Sequence, residues 1–137
     1  MFTRAMIALV AVVVAFAVLG ADIKKVAPKD TSPASGKQMF DQYCAVCHGK
    51  EGKGDGPAKS ALKVPPRDLT KLSAQNGGKF PELRVYGAIH GDVEMAAHGS
   101  KDMPVWGTVF QSMSHDSGAG TQMRVSNLTA YIKSLQK

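Results

Sequence analysis

Beyond positions 44 and 47 the chain has no cysteine. A disulfide framework is therefore out of reach, and a bridge across so tiny a loop would stabilise little. Acidic residues are also sparse, with 11 Asp+Glu against 17 Lys+Arg and a net charge of +6. The excess is scattered from Lys24 to Lys133, with no block of like charge to serve as a nucleic-acid arm. What it suits is a solvated surface or a docking face for acidic partner proteins. No alternating pattern of useful length indicates a strand, and no internal repeat occurs. Paired carboxylates, a nucleophile–base set and a second cofactor motif are missing too, which speaks against an enzyme.

A long apolar run occurs once, in AMIALVAVVVAFAVLGA near the N-terminus, where Arg4 is the only charge before Asp22. A short basic region, an apolar stretch and small residues around Gly20 and Ala21 indicate an export signal over residues 1–21. The destination implied is the periplasm. An uncleaved anchor is the alternative, although the run is short for a bilayer span of about 20 residues. Residues 22–35 are polar, carry two prolines, and read as a linker ahead of one domain over 36–137.

Within that domain the periodicities are helical. Ser32-Pro33 resembles an N-cap followed by proline at the first helical position. Gly36, Phe40, Tyr43 and Cys47 then recur on one face. GKEGKGDGPAKS and VPPRDLT are turns. A short helix is expected in FPELRVYGAIHG, with Pro81 near its start and Gly91 near its end, and residues 91–107 read as loop. Val125, Leu128, Ile132 and Leu135 mark one face of a closing helix, with Lys133 and Lys137 near its C-terminal end. The fold class is all-α with long loops, and loops of this length in a small domain usually wrap something.

Both cysteines fall in DQYCAVCHGK, with His48 directly after Cys47. Three chemistries compete for this stretch. A zinc site needs four ligands, commonly in two close pairs, and the remaining histidines His90, His98 and His115 are poorly spaced for that. A redox dithiol usually sits in a βαβ setting, which this sequence lacks. C-x-x-C-H is the signature of covalent haem attachment. On a helix Cys44 and Cys47 share a face and can reach two vinyl groups on one porphyrin edge. His48 can then ligate the iron, its other ring nitrogen donating to a carbonyl.

GKQMFDQYCAVCHGKEGKGDGP, HGSKDMPVWGTVF and LTAYIKSLQ together resemble a class I cytochrome c, of the small bacterial single-haem type, over residues 36 to 136. That resemblance implies a cytochrome c-like fold of a few helices around one covalent haem c. It implies that the first and last helices cross through Gly36, Phe40, Leu128 and Tyr131. It places Met103, in DMPVWG, as the sixth iron ligand opposite His48; Met95, Met113, His90, His98 and His115 are the rivals, although a methionine is usually a pliable core filler. It makes Pro57 the donor of the carbonyl that fixes His48, and brings Trp106 against the macrocycle or a propionate. Arg67 is a weaker candidate for a propionate. The function implied is one-electron transfer between redox partners. A haem subunit of a larger oxidoreductase or oxidase complex is the alternative, and a ligand-binding or peroxidatic haem protein a third.

Overall fold

The computed structural model describes residues 29–92, 103–113 and 118–137. The proposed export segment over 1–21, linker residues 22–28, and Met95, His98 and His115 lie outside them. The described residues form helices, turns and loops with no strand, an all-α fold. No helix among them is long and apolar enough to cross a membrane.

Helix α1 carries the C-x-x-C-H stretch. It is α-helical over Gly36–Met39 and Ala45–His48, and π-helical between them over Phe40–Cys44. Its N-cap is Ser35, whose hydroxyl accepts from the Gln38 N–H at 3.2 Å. The expected cap at Ser32 is displaced because Ser32 closes a turn of its own, its carbonyl accepting from Ser35 N–H at 3.2 Å. In the π stretch the Ala45 N–H reaches back to the Phe40 carbonyl. The wider turn rotates the residues that follow. Gly36, Phe40 and Tyr43 are buried as expected, but the inward face then passes to Cys44 and His48, leaving Cys47 half-buried.

Helix α2 spans Glu82–His90, starting after Pro81 and ending at Gly91. Gly91 has φ 98°, the left-handed conformation that closes helices, and its N–H donates to the Gly87 carbonyl at 2.8 Å. Helix α3, Trp106–Met113, follows the Met103 turn. The loop expected over 91–107 therefore ends at Trp106, and the helix is an addition to the expected elements, although Trp106, Val109, Phe110 and Met113 have helical spacing. Helix α4, Gly118–Ser134, closes the domain and buries Val125, Leu128 and Ile132.

α1 crosses α4 at Gly36. A Cβ at this position would run into the Asn127 carbonyl and lie 2.8 Å from the Tyr131 Cβ. Only glycine lets the backbones meet this closely. One turn on, the rings of Phe40 and Tyr131 pack with centroids 5.3 Å apart, and Leu128 is fully buried beside them. Gly36, Phe40 and Tyr131 therefore take part in the crossing, and Leu128 is buried in the same core.

Residues 29–35, assigned to the linker by sequence, are tied to the helices. Tyr43 Oη donates to the Lys29 carbonyl at 2.6 Å and lies 2.9 Å from Thr31 Oγ1. Arg124 of α4 donates to Thr31 Oγ1 at 3.0 Å, and Asn127 Nδ2 donates to the Pro33 carbonyl at 2.9 Å. Lys133 pairs with Glu82 at 2.9 Å, linking α4 to α2 on the surface.

Candidate functional site

His48 ends α1 and is only 9% exposed. Its Nδ1 lies 3.1 Å from the backbone carbonyl of Arg67. A carbonyl only accepts, so the ring proton sits on Nδ1 and the lone pair on Nε2. Burial lowers the pKa of the ring, and the bond to Arg67 opposes that in part. The result is a neutral, oriented imidazole, the form that ligates a metal.

The carbonyl is held by the loops that follow. Gly54 N–H donates to the His48 carbonyl at 2.8 Å and Gly56 N–H to the Cys47 carbonyl at 3.1 Å. Gly54, at φ 76°, lets the Pro66 carbonyl pack where a side chain would otherwise stand. This seats the VPPR turn against the end of α1, with the Arg67 carbonyl facing the ring. The expectation for Pro57 is corrected here. Pro57 opens a short 3₁₀ helix, Pro57–Ala61, on the surface, and its carbonyl is not the one that meets His48.

Cys44 and Cys47 are both free thiols. Cys44 is buried, and burial, followed by the neighbouring Cys47, pushes its thiol up to about 12. A reactive dithiol or a thiolate metal site would need the opposite shift. No group of three or more His, Cys, Asp and Glu side chains among the described residues is arranged for a metal ion. Two thiols held beside a hollow suit addition to vinyl groups.

Two cavities share Cys44, His48, Arg67 and Met103 as lining residues. The smaller, about 80 Å³, adds the apolar side chains of Leu69, Leu72, Val85 and Ile89. The larger, about 400 Å³, is bounded by Tyr43, Cys47, Val64 and Trp106. Together they form a mostly apolar cleft, with both thiols and the imidazole on one wall. A flat, apolar group with iron at its centre fits this donor set. Arg67 and Arg84 are exposed and line the smaller cavity, where they suit the carboxylates of such a group. Arg84 was missed in the sequence, because one basic residue on an amphipathic helix looks like ordinary surface.

Met103 lines both cavities and so faces the cleft together with His48. Trp106 lines the larger one and stacks on Tyr43 at 5.2 Å. Two rival ligands lie elsewhere. His90 stacks on Tyr86 and pairs with Asp92 at 2.6 Å, beside a separate polar cavity. Met113 packs on the core, its sulfur 3.9 Å from Tyr43 Oη.

Residues 31–132 match the family model described as cytochrome C oxidase, cbb3-type, subunit III. Comparison with curated proteins finds no match, and comparison with solved structures finds none either. The family match covers most of the chain and includes each wall of the cleft. The chain therefore belongs to this family and is a c-type cytochrome, a haem c protein that transfers electrons.

Proposed function

We propose that this chain is an exported, single-haem electron carrier that works in the periplasm with His48 and Met103 as axial ligands. Cys44 and Cys47 would hold the haem through thioethers, and Arg67 with Arg84 would pair with its propionates. Bound there, haem supplies an iron that cycles between two oxidation states. The chain's own residues do the rest. His48 is fixed by the Arg67 carbonyl, and the apolar wall excludes water. A soft thioether opposite an imidazole favours the reduced state and raises the potential.

The observation that carries this reading is that Met103 and His48 line the same two cavities. With His48 and Met103 both supplied by the chain, little of the protein would have to move on electron transfer. Carbon monoxide tests it. The reduced wild-type protein keeps its spectrum under the gas, and Met103→Ala takes up the ligand. Ready binding by wild type would favour a ligand-binding or peroxidatic site instead.

A second reading has a specific support. Val46, Val64 and Val105 are 49%, 40% and 52% exposed. Val46 and Val64 edge the larger cavity, and Val105 adjoins its lining residues Pro104 and Trp106. Such an apolar rim suits a lasting interface in an oxidase complex, as the family description suggests. In either case this chain carries electrons and its partner performs the catalysis. The net charge of +6 would steer acidic partners toward it. Co-purification of a catalytic chain through high salt would separate a subunit from a free carrier.

A further inference from the structure

Arg124 is the one buried arginine among the described residues, 5% exposed in α4. Its guanidinium donates to Thr31 Oγ1 at 3.0 Å and to Asp30 Oδ1 at 3.2 Å, and lies 5.9 Å from the centroid of the Phe110 ring. Nε finds no hydrogen-bond partner among the described residues. Arginine keeps its positive charge inside a protein. A buried charge held this way is costly, which raises the question of what it does.

The charge is poorly balanced. Among the described residues its one ion pair is with Asp30, whose side chain is 83% exposed. Water and salt screen the field of an exposed carboxylate, whereas the field of a guanidinium in the interior persists. One aromatic layer separates it from the haem cleft. Phe110 packs 5.8 Å from both Tyr43 and Trp106, and those two rings line the larger cavity. Thr31 Oγ1, which Arg124 grips, is itself 2.9 Å from Tyr43 Oη. A net positive charge therefore stands behind the cleft wall.

We propose that Arg124 is a positioning and tuning residue for the haem: its buried charge raises the reduction potential, and Asp30 moderates the effect. Oxidised haem carries one more positive charge than reduced haem, so a fixed cation nearby disfavours the oxidised state. The inference rests on haem occupying the cleft, and it goes beyond axial ligation as the source of the potential. It also gives residues 30 and 31 a role at the cofactor.

The test is a redox titration of haem-loaded wild type, Arg124→Met, Arg124→Lys and Asp30→Asn, at low and at high salt. Haem content and the visible spectrum are read first. A wild type without covalent haem would overturn the haem reading itself, independently of Arg124. With haem in place, the potential falls in Arg124→Met, stays near wild type in Arg124→Lys, and rises in Asp30→Asn. The fall in Arg124→Met survives high salt, as a surface charge effect would not. Shifts of opposite sign from the two partners of one ion pair cannot come from general loosening. An unchanged or raised potential in a haem-loaded Arg124→Met overturns the proposal. If that variant fails to fold, Asp30→Asn decides at low salt, where the exposed carboxylate is least screened. A rise supports the assignment, and no shift or a fall overturns it.

Discussion

The Nδ1 of His48 and the carbonyl oxygen of Arg67 lie 3.1 Å apart, joining the end of α1 to the VPPR turn. The bond fixes the tautomer and the ring plane of His48, the proposed proximal ligand. Burial at the same place gives His48 a pH dependence with a definite sign.

Burial holds His48 below its ordinary value of 6.5, with the Arg67 bond in partial opposition. As the pH falls, the unfolded chain takes up the proton first. Stability that depends on neutral His48 is therefore complete above about 6.5 and is lost as the pH drops through the folded-state value. Ligation of iron acts in the same direction. The urea midpoint of the haem-loaded protein should be flat just above 6.5 and fall below it. Arg67→Ala should leave this profile in place, because the contact is made by backbone. A midpoint that rises on acidification would contradict the assignment.

Gly36→Ala reports on the helix crossing. In an isolated helix the change would stabilise by about 1 kcal/mol. Here the new methyl meets the Asn127 carbonyl, a backbone atom that cannot swing away. A net loss of about 1–3 kcal/mol is expected, as for overpacking elsewhere. Urea unfolding measures it, and a gain in stability would show that the two helices do not meet at this residue.

Tyr43→Phe removes a hydroxyl that bonds the Lys29 carbonyl at 2.6 Å and lies 2.9 Å from Thr31 Oγ1, while leaving the stack on Trp106 intact. The expected cost is about 1 kcal/mol, the usual net worth of such bonds. Residues 29–31 should loosen, and cleavage after Lys29 should quicken in limited proteolysis. The haem spectrum should barely change. A large spectral change with no change in cleavage would place the hydroxyl's role in the cleft instead.

The two thiols are tested by attachment. Cys44→Ala and Cys47→Ala should each keep haem on the denatured chain through the remaining thioether. The double variant should release it. Haem staining after denaturing electrophoresis distinguishes these outcomes, and retention by the double variant would contradict thioether linkage.

Side-chain patterns were legible in the sequence; backbone contacts were not. The C-x-x-C-H stretch and the faces bearing Phe40, Leu128 and Ile132 follow from spacing alone, and α2 lies between Pro81 and Gly91 as expected. The family resemblance puts the acceptor for His48 at Pro57, whereas Arg67 contributes a carbonyl that any residue carries and no motif marks. The π stretch was invisible for a similar reason. It changes register without a distinctive residue, so Cys47 was placed on the buried face that Cys44 and His48 occupy. The burial of Arg124 is not legible in the sequence, because it depends on Thr31 and Phe110, far away in the chain.

The most direct test of the account is the far-red absorption of the oxidised, haem-loaded protein. Sulfur bound to oxidised haem iron gives a weak band there that bis-histidine and open sites lack. The account expects the band in wild type and its disappearance in Met103→Ala. A wild-type spectrum without the band would show that Met103 faces the cleft but does not ligate, and the electron-carrier reading with two filled axial positions would fall.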